Sequence, residues 1–274
     1  MTIYARIDEY EMRVRVERGE LAQQLAVNIG QKIAAYVKNP GDPIYSGKSR
    51  GDFSLAIDRD AETEIRKSID KYFPHDAIEG EEHGKSAGTS GYRWIVDPLD
   101  GTRNFKAGLP SFCTGIAVEK DEEVIVAAVY SPITNESFFS EKGNGAYLNN
   151  KPMRVSQTTE LQTFLFAYLT GDHKHPDASR LGAQCIGRIT GMGAQFRFQG
   201  SALLELCYLA KGAYDAAVKV YPKGYWDYAA GSLMVEEAGG IVTDFEGTLW
   251  GRNTKNLVAS NNREHAKLID LFSE

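Results

Sequence analysis

The chain has 274 residues, 42% of them hydrophobic and 25% charged, enough apolar material to bury a large core without disulfides or a structural metal. Its 31 Lys and Arg against 37 Asp and Glu leave a net charge of −6, which speaks against direct nucleic-acid binding. Charges interrupt every long apolar stretch, so neither a signal peptide nor a membrane span is expected, and Cys113, Cys185 and Cys207 form no CxxC pair or disulfide framework, which points to a reducing, cytoplasmic setting.

In chain order, Leu21, Leu25, Ile29, Ile33 and Tyr36 recur at helical spacing and predict a helix ended by Asn39-Pro40-Gly41. A second helix is expected from Asp58 to Tyr72, stopped by Phe73-Pro74. The glycine-rich stretch from Gly80 to Gly91 reads as a mobile surface loop or hairpin. Tyr92 to Val96 predicts a short strand that delivers Asp97. The apolar runs Cys113–Val118 and Val124–Val129 predict a hairpin, continued by strands at Ser137–Ser140 and Gly145–Leu148. Beyond them, strands are expected near Phe164–Leu169, Gln195–Phe198, Ala213–Val220, Gly240–Asp244 and Leu257–Ala259. They alternate with helices over Asp177–Thr190, Ser201–Lys211, Tyr228–Ala238 and Arg263–Phe272. That mixture predicts a layered α/β fold. No Pro- or Ser-rich linker interrupts it, so the halves 1–150 and 151–274 are expected to share a broad interface.

The strongest chemical feature is Trp94-Ile95-Val96-Asp97-Pro98-Leu99-Asp100-Gly101-Thr102. An apolar strand ends in two carboxylates three residues apart. Carboxylates held close repel unless a cation lies between them, and hard oxygen ligands favour Mg²⁺, Mn²⁺ or Ca²⁺. A helical turn starting at Gly101-Thr102 would add free N–H groups for an anion. The same run also suits an ordinary turn with Asp97 as a cap. Gly80-Glu81-Glu82-His83-Gly84 carries paired acids that are either solvated or a further oxygen ligand, with His83 expected at the surface. In Tyr225-Trp226-Asp227-Tyr228-Ala229-Ala230-Gly231, Asp227 stands where a helix N-cap belongs, and the small residues permit close backbone approach. No residue reads as a dedicated nucleophile, and the cysteines are expected in the core.

Taken together, Glu81, the run from Asp97 to Thr102, and the run from Trp226 to Gly231 resemble the signatures of the inositol monophosphatase family. The resemblance extends from Lys48, Asp52 and Asp58 through Glu236-Glu237-Ala238-Gly239-Gly240. It implies an α/β/α/β/α sandwich, usually homodimeric, and a lithium-sensitive phosphomonoesterase using two to three Mg²⁺ ions. Mn²⁺ is an alternative ion, and Ca²⁺, Li⁺ and excess Mg²⁺ are expected to inhibit. Carried over, it implies one ion held by Glu81, Asp97 and the Leu99 carbonyl, a second by Asp97, Asp100 and Asp227, and a weaker third facing Glu81. Asp100, Gly101 and Thr102 would face the phosphate. The Thr102 hydroxyl would orient the attacking water, with Asp58 supporting it. Gly200 and Ala202 would contact the hydroxyl-bearing part of the substrate.

One position departs from the family. Members acting on inositol phosphates carry a glutamate shortly before the Trp-Asp pair, and here that position is Lys219, with one extra residue before Asp227. Lysine only donates and brings positive charge, so a second anionic group on the substrate would suit it, unless it points to solvent. Val220-Tyr221-Pro222-Lys223 is also similar to relatives that hydrolyse 3′-phosphoadenosine 5′-phosphate. By the resemblance inositol monophosphate is the default substrate, and Lys219 speaks for other substrates. Bisphosphate-nucleotidase, fructose-1,6-bisphosphatase-like and histidinol-phosphate phosphatase activities are the alternatives, and a regulatory, RNA-polymerase-associated protein is the non-enzymatic one.

Overall fold

A computed structural model describes residues 3–37, 50–169 and 175–273. Lys48, the Asp52 side chain and the expected helix stop at Asn39-Pro40-Gly41 lie outside the described residues.

The first two helices are α1 (Ile3–Val37) and α2 (Arg50–Tyr72), both starting earlier than the apolar spacing suggests. There follow β1 (Ala77–Gly80), β2 (Gly84–Ser86), β3 (Tyr92–Asp100), the short α3 (Thr102–Ala107), β4 (Cys113–Lys120), β5 (Glu123–Ser131), β6 (Glu136–Glu141), β7 (Gly145–Leu148) and β8 (Lys151–Pro152). These strands form one sheet in the order β2-β1-β3-β4-β5-β6-β7-β8, antiparallel throughout except where β1 lies parallel to β3. The second part carries β9 (Leu165–Leu169), α4 (Ala178–Gly191), β10 (Gln195–Arg197), α5 (Ala202–Ala210), β11 (Ala216–Val220), α6 (Ala229–Glu237), β12 (Ile241–Thr243), β13 (Asn256–Ser260) and α7 (His265–Ser273). Its five strands run in the order β10-β9-β11-β13-β12.

Strand alternation decides the layers. On β3 and β4, Trp94, Val96, Ile116 and Val118 pack under α1 and α2 with Ile29, Ile33, Ile65 and Ile69. Ile95, Cys113 and Ala117 face the other way, onto α5 and α6. In the second sheet Ala217 joins that same inner core, whereas Ala216, Val218 and Val220 pack with residues of α4 and α7. The result is the α/β/α/β/α sandwich, with α5 and α6 as the filling between two sheets. Gly231 lets those helices touch: a Cβ there would sit 2.6 Å from the Leu206 Cβ.

Between Gly80 and Gly91 the chain is a hairpin, with β1 and β2 paired from Ile78–Ser86 to Gly80–Gly84. Its turn is anchored from α2. The buried Glu62 carboxylate accepts the Glu82 N–H at 2.7 Å and the His83 N–H at 3.2 Å. His83 is exposed and its ring meets the Thr63 hydroxyl and the Arg59 carbonyl.

Candidate active site

The site grows from the end of β3. That strand runs through Asp97 to Asp100 instead of stopping at Val96, and its register with β4 slips between these two aspartates. Pro98 lacks the N–H that a regular ladder would use. The alternation that turns Ile95 inward turns Asp97 inward too. The Asp97 Oδ1 accepts the Leu99 N–H at 3.1 Å, and the Leu99 carbonyl accepts the Thr102 hydroxyl at 3.0 Å. Gly101 adopts a φ of 91°, and a Cβ there would lie 2.8 Å from the Ser111 carbonyl oxygen, so the turn into α3 requires glycine.

Asp100 ties the first sheet to α5. Its Oδ2 accepts the Ser201 hydroxyl at 2.7 Å and the Leu203 N–H at 2.8 Å, both at the start of α5. A carboxylate there completes the helix's open N–H groups and suits its dipole. The Cys113 thiol stands 3.9 Å from the same oxygen. Gly200, with φ 79°, passes against Asn104, whose Nδ2 donates to the Gln199 carbonyl at 2.5 Å and the Ser111 carbonyl at 2.6 Å. Ala202 follows as the first residue of α5.

Asp227 ends the short 3-10 turn Tyr225–Asp227, and the cap position of α6 falls on Tyr228, so the expectation that Asp227 caps this helix is corrected. Its Oδ2 instead accepts the Lys223 N–H at 2.9 Å and pairs with the Lys219 Nζ at 3.2 Å. Lys219 is 1% exposed, so the solvent-facing alternative for it is excluded. Glu81, just past β1, donates its N–H to the Val96 carbonyl at 3.2 Å, and its Oε1 pairs with the Lys223 Nζ at 3.2 Å. The Thr102 hydroxyl points at Leu99, not at Asp58. Asp58 lies on α2, is 3% exposed, and has a buried Oδ1 with no hydrogen-bond partner.

These segments enclose a cavity of about 210 Å³. Glu81, Asp97, Leu99, Asp100, Gly101, Thr102, Gly200, Ala202, Lys219 and Asp227 line it; Glu82 and Asp58 do not, although the Asp58 charge acts on Asp97. Arg103, Asn104, Phe198 and Lys223 line it as well. None of them stands out in the sequence as a site residue. Only Lys223, in a stretch with a nucleotidase-like look, carries a local signal.

The electrostatics are those of crowded anions. Burial, then the charges of Glu81, Asp100, Asp227 and Asp58, raise Asp97 well above the usual carboxylate range. Burial also raises Asp100, against the hydrogen bond from Ser201. Burial, with Glu82 and Glu81, pushes Asp58 up to about 8. Burial pushes Glu81 up to about 7 against the pull of Lys223. An all-oxygen donor set, mutual repulsion and the orphaned Asp58 oxygen fit hard divalent cations. Among the described residues, however, no three acidic, His or Cys side chains are gathered closely enough to hold an ion as they stand. Lys219 and Lys223 hold Asp227 and Glu81 in ion pairs of their own.

Comparison with known proteins places this geometry in a lineage. The chain is 38% identical over 248 residues to the Escherichia coli K12 protein "Nus factor SuhB", covering 89% of this chain and 91% of that one. Over 225 residues it is 39% identical to "Nus factor SuhB" of Haemophilus influenzae, with 81% and 83% covered. Among solved structures, the suhB extragenic suppressor protein of Bartonella henselae matches with a TM-score of 0.81 at 31% identity, over 93% of this chain and 98% of that one. The inositol monophosphatase of Anabaena matches with a TM-score of 0.82 at 28% identity, over 94% and 95%. The family profile of the inositol monophosphatases matches residues 16–274. The chain belongs to the inositol monophosphatase family.

Proposed function

We propose that the chain is a Mg²⁺-dependent phosphomonoesterase acting on a small polyol or sugar phosphate, with inositol monophosphate as the default substrate. The observation that carries this reading is the convergence of Glu81, Asp97, Asp100 and Asp227, from three separate segments, on one cavity walled by Gly101 and Thr102. Phosphate monoesters hydrolyse extremely slowly unaided, so such a site must neutralise phosphate charge and supply a strong nucleophile. Glu81, Asp97, Asp100, Asp227 and the Leu99 carbonyl would hold the ions, which when bound supply an acidified water and stabilise the leaving oxygen.

The chain's own groups do the rest. Burial keeps the carboxylates' field undiluted by water. The backbone at Gly101 and Thr102 orients the phosphate, and the Thr102 hydroxyl, now 3.0 Å from the Leu99 carbonyl, is placed to hand its hydrogen bond to an attacking water. Lys223 and Arg103 add positive charge at the cavity wall. A second anionic group on a substrate would meet these two more readily than Lys219, whose ammonium is turned to Asp227.

The name "Nus factor" carried by the relatives fits a regulatory role in part, and that role is the second reading. Against it as the sole function stands the full set of carboxylates. A phosphate-release screen over inositol monophosphates, fructose-1,6-bisphosphate, histidinol phosphate and 3′-phosphoadenosine 5′-phosphate, with and without Mg²⁺, tests the reading. Release that depends on Mg²⁺ for at least one compound is expected, and failure on all of them favours the regulatory alternative.

A further inference from the structure

Lys219 is among the largest wholly buried side chains of the molecule. It sits on β11, with Leu169 of β9 on one side and Leu257 of β13 on the other. Its neighbour two residues back, Ala217, belongs to the inner core, so Lys219 projects into the layer between the sheets. Lysine is rarely found there, because a buried ammonium must be compensated by charge of opposite sign. Here the compensation comes from the candidate site itself. The Nζ is 3.2 Å from the Asp227 Oδ2, and its charge also acts on the Asp100 and Glu205 carboxylates.

Asp100 and Asp227 are two of the three carboxylates assigned above to a second divalent ion. An ion bound there would share a buried site with a fixed positive charge, and like charges a few ångströms apart repel strongly where bulk water cannot screen them. Lys219 cannot simply withdraw. Strands flank its backbone on both sides, and the side chain is 1% exposed. Lys223 differs: its side chain is half exposed and lies between strand and helix, so it can swing from Glu81 into water.

We propose that Lys219 is a resident cation standing in for one divalent ion beside Asp100 and Asp227. The chain then binds one ion firmly, at Glu81 and Asp97, and a second only weakly. This rests on reading the carboxylate cluster as a divalent-metal site. It also gives the extra charge of Lys219 a role in metal stoichiometry rather than in choosing a bisphosphate substrate.

The test is Mn²⁺ binding without substrate, followed by the paramagnetic signal of free Mn²⁺ and by calorimetry, for the full chain and for Lys219→Gln and Lys219→Met. The expected result is one tight site in the natural protein. In the variants a second site should tighten by about ten- to a hundredfold, the effect of removing a close like charge. Two tight sites in the natural protein, or constants unchanged in variants whose circular dichroism is native, overturn the inference and leave the metal reading standing. Failure of every protein to bind Mn²⁺ overturns both. Should the variants not fold, anomalous scattering from natural-protein crystals grown in Mn²⁺ decides the matter. One strong ion near Glu81 and Asp97 with Lys219 still on Asp227 supports the inference, and a second strong ion between Asp100 and Asp227 overturns it.

Discussion

Two aspartates that look equivalent in the sequence part company once their neighbours are known. Asp97 is buried among Glu81, Asp100, Asp227 and Asp58, and all of these disfavour its charge. Asp97→Asn removes that charge at nearly constant volume, and the amide oxygen can still accept the Leu99 N–H. Thermal melting of the metal-free variant at pH 7.5 should therefore match or exceed that of the natural protein. Asp227 is the near partner of the buried Lys219 ammonium. Removing one partner of a buried pair costs about 3 kcal/mol or more, and Asp227→Asn should melt several degrees lower. Equal melting of the two variants would mean that the Lys219 contact carries no weight. Activity should be lost in both, so stability is the readout that tells them apart. The spacing of Asp97 and Asp100 around Pro98 was legible as paired chemistry because it is local. Asp227 looked like a cap because its true partner, Lys219, lies on a strand eight residues earlier and is turned inward by alternation that only the folded sheet defines.

At the scale of elements, the β1–β2 hairpin brings Glu81 to the cavity, and Glu62 on α2 holds its turn. Glu62→Ala removes both acceptors. Hydrogen exchange at the Glu82 and His83 amides should then accelerate by at least about tenfold, the equivalent of roughly 1.4 kcal/mol of lost protection, and the Mg²⁺ concentration for half-maximal activity should rise with it. Unchanged exchange would show that the strand pairing alone fixes the turn. The glycine-rich composition of this stretch pointed to a loop or hairpin. The anchor was not legible, because Glu62 is separated from the turn by about twenty residues and reads as one more polar position on a helix. For the same reason Ser201 drew no attention, although its hydroxyl and the start of α5 take the Asp100 carboxylate. A serine before an apolar helix signals a cap, but here its hydroxyl makes no cap bond and instead ties the start of α5 to Asp100 on the first sheet.

At the scale of the whole molecule, the alternation of apolar runs and the resemblance to one family made the layered fold legible, while the starts of the first two helices were placed too late. Polar residues dilute the apolar spacing before Leu21 and before Asp58. The second sheet adds a pH dependence unconnected with the site. His265, buried at the start of α7, meets the Thr243 hydroxyl and the Ser260 hydroxyl, each at 2.9 Å, and burial pulls its pKa down to about 4. The folded protein keeps it neutral where the unfolded chain takes a proton. Its contribution is thus complete above pH about 6.5 and falls away as pH drops towards 4. The melting temperature of His265→Gln should fall less steeply than that of the natural protein between pH 7 and 4.5. The carboxylate cluster is common to both proteins and cancels in the difference. Parallel slopes would show that His265 titrates normally. Arg252 braces the two sheets on another flank, its guanidinium bridging Glu79 and Glu119 while lying 4.5 Å over the Tyr225 ring. The turn that carries Asp227 is therefore held from both ends, by Lys223 and by this bridge.

On the proposed function, the converging carboxylates bind the cations that drive phosphate-ester hydrolysis. Phosphate release from inositol monophosphate, measured against Mg²⁺ concentration for the natural protein and for Asp97→Asn at matched ionic strength, tests it most directly. The expected result is saturable, Mg²⁺-dependent turnover in the natural protein, falling again at high Mg²⁺. In Asp97→Asn, with its melting temperature intact, turnover should be at least about a hundredfold lower, because this carboxylate is assigned to both ions. Turnover that needs no Mg²⁺, or near-natural turnover in Asp97→Asn at ordinary Mg²⁺, would contradict it.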